Sequence, residues 1–427
     1  MNDRDREEIE RLIRQEFHVL PDAVLRPERK KAIERLVSRE IDRQRGARLA
    51  KWRRPWWFAT ALASCLVIVA LVLWTRPTSP LAHPSHPGNP ETTLARPRLQ
   101  FAKMISNSDG WAITTSDQIV VTPDGGLHWN RVTPKGMRVR HGFGGVGAEF
   151  LDASQAWVAV TAGDGTTPTL IYHTTDGGRS WTVVSTTPAY GAQFDFISAS
   201  TGFLFLHEGA GMGSEAVTLL RTTDGGANWK VVLDAQATAQ NPSLVFGGNK
   251  SGVSFSSLRD GWITGDWAAS AILLYSTRDG GSTWTSESVP VPSGLSAQDG
   301  AAKSLPPAFF GPSSGVMPVL LETTSGRQAY VFYRTNDGGQ HWQPTNPITP
   351  SGILLYSIVN PTVIVASDGE KLYWTSDGGA TWSSRPSRLE GVTSLQFTSA
   401  MRGWALVHGA LEATTTGGRI WAPVTPH

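Results

Sequence analysis

Only one cysteine, Cys65, occurs in 427 residues. It lies inside an apolar run, so a disulfide scaffold and thiolate chemistry are excluded and stability has to come from packing. A dominant charge of one sign is lacking too. The net charge is +2, with 16 Lys/Arg against 11 Asp/Glu in residues 1–55 and 21 against 25, a net −4, from Pro77 onward. No basic field is left on the larger part, which argues against nucleic acid as a partner. Histidines are few. His141, His173, His207, His341 and His408 are scattered without ligand spacing, and neither a metal nor a cofactor is expected.

One long hydrophobic run is present. Trp56 to Trp74 holds 19 residues without a charge; at about 1.5 Å per residue it spans about 28 Å, the depth of a bilayer core. It reads as a single transmembrane helix, residues 56–74, with tryptophans at both interfaces. Arg45, Arg48, Lys51, Arg53 and Arg54 precede it and only Arg76 follows, so the N-terminus is expected to be cytoplasmic and the rest extracytoplasmic. A cleaved signal peptide would need a leading region of 55 residues, far too long. Within the basic segment 1–55, Ile9, Leu12, Ile13 and Phe17, then Ile33, Leu36, Val37 and Ile41, fall at helical spacing and predict two short amphipathic helices. Residues 75–97 are proline-rich and polar, an extended spacer without a core.

Residues 98–427 are a repeat. TTDGGRSW at Thr174 returns as TPDGGLHW, TTDGGANW, TRDGGSTW, TNDGGQHW and TSDGGATW, placing Asp124, Asp176, Asp224, Asp279, Asp337 and Asp377 at steps of 52, 48, 55, 58 and 40 residues. A seventh copy, TTTGGRIW, puts Thr416 where the aspartate belongs. Before most copies stands a second element, such as SNSDGWAI, LDASQAWVAV or SSLRDGWITG. Each unit then reads as strand, short turn, strand, loop, strand, box turn, strand, and seven such units predict an all-β, seven-bladed propeller of four-stranded blades.

A motif used this often is expected to be structural. Two adjacent glycines supply the positive φ of a tight turn. The aspartate can accept backbone N–H groups across it, assisted by the threonine two residues earlier. The closing tryptophans, Trp129, Trp181, Trp229, Trp284, Trp342, Trp382 and Trp421, are expected to enter the hydrophobic layer between blades.

These S/T-x-D-G-G-x-x-W units resemble Asp-boxes, the bacterial neuraminidase repeats. Together with the preceding G-W-A elements they resemble the photosystem II stability and assembly factor family of seven-bladed propellers, over residues 98–424. That resemblance implies a non-catalytic role in assembling membrane proteins, although the apolar anchor and basic N-terminal segment are not part of the family's pattern. Sialidases carry similar boxes, but they use three arginines, a tyrosine nucleophile with a glutamate, and an acid aspartate. RPRL at Arg96 is a poor match to their R-I-P element. No carboxylate pair interrupts the repeat as glycoside hydrolysis would require. No catalytic residue is assigned.

Insertions fall in the connections between second and third strands and between blades, which share one face opposite the boxes. Long loops on a rigid scaffold are where binding resides. Arg138, Arg140, His141, His207, Trp267 and Arg327 lie in or beside them and are the candidate contacts, since arginine and tryptophan supply large contact area and donors. The expected function is a membrane-anchored scaffold that binds a protein at the outer face of the membrane. A carbohydrate or cell-wall binding module is the second reading, and a sialidase-like glycoside hydrolase the third.

Overall fold

The structure, a computed structural model, describes residues 86–87, 93–94, 96–140, 144–211, 214–235, 247–266, 271–298 and 302–425. The chain divides into two units, Met1–Leu81 and Ala82–His427, and all described residues belong to the second. The helices expected before Leu81, including Trp56 to Trp74, lie outside the described residues. Among the described residues there is no α-helix.

Seven antiparallel units follow one another along the chain, at 99–131, 145–186, 191–235, 249–286, 308–348, 355–386 and 392–423. In six of them four strands pair in chain order. Blade 5 makes its fourth position with isolated bridges from Gln343 and Ile348. Successive side chains point to opposite faces of a strand, so each blade presents two apolar faces and needs a neighbour on each. Seven buried clusters meet that need. Trp111 and Val132 pack with Phe150 and Trp181 between blades 1 and 2, Trp157 with Phe194 and Leu204 between 2 and 3, and Phe203 with Phe255 between 3 and 4. The series continues through blades 4 to 7. It ends where Trp404, Leu406 and Leu411 of blade 7 pack on Leu99, Met104 and Trp129 of blade 1. Sheets that face only their neighbours and return to the first have the arrangement of a propeller.

Among the described residues no strand is exchanged at the seam. Blade 7 is built entirely from the last four strands, Val392–Phe397, Gly403–Val407, Ala410–Thr414 and Ala422–Pro423. Closure instead uses side chains. Gln396 accepts the Met104 N–H (2.7 Å) and donates to the Met104 carbonyl (2.8 Å), while the Leu99 N–H reaches the Gly409 carbonyl (2.9 Å).

Parts of the proline-rich spacer join the sheets. Thr93–Leu94 pairs with Trp129 and Asn130, and His86–Pro87 pairs with Ser180 and Trp181. The reason is general: an outermost strand presents unpaired N–H and C=O groups, and an extended chain passing beside it can satisfy them.

Candidate binding face

The box turns form one end of every blade. In blade 2, the Thr174 hydroxyl donates to Asp176 Oδ1 (2.8 Å) and accepts the Gly178 N–H (2.9 Å). Asp176 Oδ1 also takes the Ser180 N–H (2.9 Å), and Oδ2 takes the Ser180 hydroxyl (2.5 Å). Burial opposes ionisation of Asp176, but the Ser180 and Thr174 bonds outweigh it and hold the carboxyl below its usual range. Asp124, Asp224, Asp279, Asp337 and Asp377 repeat the pattern with the side chains of His128, Asn228, Thr283, His341 and Thr381. The residue before the tryptophan is thus always a donor where the aspartate is present. In blade 7 both members change: Thr416 accepts the Ile420 N–H (2.9 Å), and Ile420 has no side-chain donor.

Each box is tied to its own blade and to the one before. The first box glycine donates its N–H to the turn between strands one and two in all seven blades, for example Gly177 to Ser154 (2.9 Å). Gly178, at φ 85°, sits where an added Cβ would lie 2.6 Å from Val132 Cβ, so only glycine fits. Trp129, Trp181, Trp284 and Trp342 are buried, and Trp229, Trp382 and Trp421 partly so, each in the layer shared with the preceding blade. The Trp181 indole donates to the Val132 carbonyl (2.8 Å), across the blade boundary. The box aspartates and threonines thus spend their donors and acceptors within the turn.

Several first strands of neighbouring blades approach each other, and penultimate residues of such strands make polar contacts across the blade boundaries. Lys103 Nζ reaches Glu149 (2.8 Å), Asp195 accepts the Phe255 N–H, and Ser357 accepts the Phe397 N–H (2.8 Å). Asp195 is unusual. Burial pushes its carboxyl up to about 7, and the nearby Glu149 charge adds to this against the Phe255 N–H and Lys103.

At the opposite end, the insertions have different fates. The segment after Ser288 folds back onto blades 4 and 5: Val289, Ala297 and Ala302 join their core, and Lys303 pairs with both Asp266 and Leu320. Between blades 3 and 4, the hairpin Gly202–Gly211 and Ser214–Thr222 carries a buried lock. His207 Nδ1 contacts Glu215 Oε1 (2.7 Å), Glu215 also accepts the Lys250 N–H, and Lys250 Nζ donates to the Gly247 and Gly248 carbonyls (2.7 and 2.8 Å). Burial pulls the Lys250 amine down to about 8 against the opposing charges of Glu215 and Asp266.

Blades 1 and 2 are left open. A cleft of about 470 Å³ runs along Phe101, Ile113, Val139, Gly145 and Val146, and a second of about 530 Å³ along Arg131, Thr133, Met137, Arg138 and Arg140. Both are lined by Asp117 and Val139. They exist because the turn between the second and third strands of blade 1 is only Thr115 to Gln118, too short to cover the connection that follows Arg131.

Of the candidate contacts, Arg138 and Arg140 lie together on the second cleft. Arg138 is exposed, and Arg140 is 3.3 Å from Asp164. His207 is held in the lock of blade 3, and Arg327 is exposed on a turn of blade 5 where its N–H meets Thr323. The structure does not gather these four into one site. His141 and Trp267 lie outside the described residues. Sequence reasoning passed over Arg131, Asp117 and Phe101, whose residue types carry no local signal; Asp117 sits at φ 59° in its turn and Phe101 beside a register shift. Among the described residues no group of three or more His, Cys, Asp or Glu side chains is placed to hold a metal ion.

A family model described as photosynthesis system II assembly factor YCF48 matches residues 95–241, which span blades 1 to 3. No curated protein matches the chain. Among solved structures, it is similar to YCF48 bound to D1 peptide, at 18% identity and TM-score 0.47, over 80% of this chain and 99% of that one. YCF48 from Cyanidioschyzon merolae is 17% identical with TM-score 0.41, over 66% and 86%. A polysaccharide lyase, PL25 ulvan lyase, is 11% identical with TM-score 0.47, over 81% and 97%.

Proposed function

We propose that this chain is a membrane-anchored, extracytoplasmic propeller that acts as a non-catalytic binding or assembly scaffold for a protein partner. The observation that carries this reading is the contrast between the two ends of the blades. At the box end the first box glycine is bonded to its own blade in all seven blades, whereas the other end leaves open clefts with arginines over blades 1 and 2. The family match over the same blades, to a model named for an assembly factor, supports it. The anchor rests on the uncharged run Trp56 to Trp74 and the cationic flank before it.

Two experiments test the two halves of the proposal. Protein solubilised from membranes should lose its co-purifying partner when Arg138 and Arg140 become glutamate. Substitution of exposed Leu258 or Ile420 near the box turns should leave the partner bound. Release by the box-end changes alone would place binding on the wrong end. Protease added to intact cells should remove the propeller; protection of the propeller with loss of residues 1–55 would reverse the orientation.

A further inference from the structure

The seventh box departs from the other six in charge as well as in hydrogen bonding. Its two turns, residues 398–402 and 415–421, hold Arg402 and Arg419 but no Asp or Glu, because Thr416 stands where the aspartate belongs. Arg385, from the last strand of blade 6, joins them by donating to the Gly417 carbonyl. Burial, and then the charge of Arg419, disfavours the charged form of Arg385. Elsewhere at this end of the blades an arginine has a carboxylate beside it: Arg278 lies 3.3 Å from Asp260, and the charge of Arg179 acts on Asp176. In blade 7 the like charges of Arg385 and Arg419 are left to repel one another, and an anionic surface relieves that repulsion.

The same two turns expose apolar side chains. Ile420 is 68% exposed, at the position where the other boxes carry a polar donor, and Met401 is 54% exposed. The turns form one surface. The Gly417 N–H donates to the Met401 carbonyl (2.7 Å), Met401 Sδ lies 3.5 Å from where a Cβ on Gly417 would stand, and the box turn closes through Thr416 and the Ile420 N–H (2.9 Å).

Resting on the membrane-anchored reading above, we propose that the box end of blade 7 docks on the surface of an anionic lipid bilayer. Ile420 and Met401 enter the boundary between headgroups and acyl chains, and Arg385, Arg402 and Arg419 meet the lipid phosphates. Such a patch binds weakly by itself, each cation adding about fivefold. The anchor makes weak binding sufficient: residues 75–85 reach at most about 40 Å, so the patch meets the bilayer at high local concentration. A bilayer fits better than an acidic protein, since it offers apolar and anionic layers together and residues 56–74 already bring one within reach.

The test uses the full chain in lipid nanodiscs, with Cys65→Ser and a fluorophore on Ala400→Cys or, at the other end, on Ser325→Cys, both exposed positions. Quenching by nitroxide-labelled lipid reads contact. At Ala400→Cys it should be at least threefold greater in discs of phosphatidylglycerol than in discs of phosphatidylcholine, and weaker at 500 mM than at 50 mM salt; at Ser325→Cys the two lipids should give the same signal. Arg419→Glu should cut the difference between the lipids at least threefold. Thr416→Asp with Ile420→Thr should do the same, and because that pair rebuilds the box, its loss of contact does not come from unfolding. Equal quenching at Ala400→Cys in the two lipids, lipid-dependent quenching at Ser325→Cys instead, or full contact by Arg419→Glu overturns the proposal. Loss of the co-purifying protein from either variant assigns the patch to that protein and overturns it as well. Alkaline carbonate extraction of native membranes reads the anchor separately. A chain released by carbonate overturns the anchored reading and this proposal with it, whereas a chain that is retained but shows no lipid-dependent contact overturns this proposal alone.

Discussion

Asp195→Asn should stabilise the propeller above neutral pH and leave it unchanged in acid. Asp195 stands on the first strand of blade 3, Gly191–Phe196, with its carboxylate on the Phe255 N–H; Glu149 and Lys103 are the charged groups facing it. Its carboxyl is pushed from an ordinary 3.8 up to about 7, mainly by burial. A raised value means that the folded state holds the proton more tightly than the unfolded chain does. The stability this contributes is present below about pH 4 and is lost as pH rises through about 7. A shift of about 3 units at about 1.4 kcal/mol each sets an upper bound of about 4 kcal/mol. The side chain keeps part of its surface in contact with water, so about 2 kcal/mol is expected. Asparagine retains the acceptor for Phe255 and removes the charge. Scanning calorimetry of the full chain should therefore show Tm raised by about 5 °C at pH 8 and unchanged at pH 4. A difference that stays constant across this range, or a loss of Tm at pH 8, would refute the reasoning.

Three further outcomes can be measured on the same protein. Trp181→Ala, which removes an indole 1% exposed, should cost about 3 to 5 kcal/mol by denaturant unfolding, whereas Asp176→Ala should cost about 1 to 3 kcal/mol; equal and negligible effects would contradict the role of the box as a staple. Thr416→Asp combined with Ile420→Thr should rebuild the seventh box and add about 1 kcal/mol, while Thr416→Asp alone should give less, because Ile420 leaves one carboxylate oxygen without its donor; hydrogen exchange in blade 7 reads the difference. His173 is stacked on Trp157 (4.6 Å), and burial lowers its imidazole to about 4. Its contribution is present above about pH 6.5 and lost as pH falls toward 4, so a His173→Phe variant should lose less stability than the native chain over that interval, and identical acid profiles would exclude this origin.

The repeat of Asp-Gly-Gly and tryptophan determined by itself the all-β class, the number of units and the place of each box turn. It could do so because those features depend on local rules: positive φ at two glycines, an aspartate able to cap a turn, and a period that a solitary sheet cannot satisfy. The anchor expected from the apolar run and its cationic flank lies outside the described residues and stays a proposal. Which insertions would be open was not legible. The segments after Pro134, Ser288 and His207 all read as loops, yet the second packs into the core of blades 4 and 5, the third is locked by Glu215 and Lys250, and the first lines a cleft. Those outcomes depend on contacts between residues far apart in the chain, such as Lys303 with Leu320 or Gln396 with Met104. No periodicity encodes such contacts; they exist only once the sheets have packed on one another and brought residues distant in the chain together.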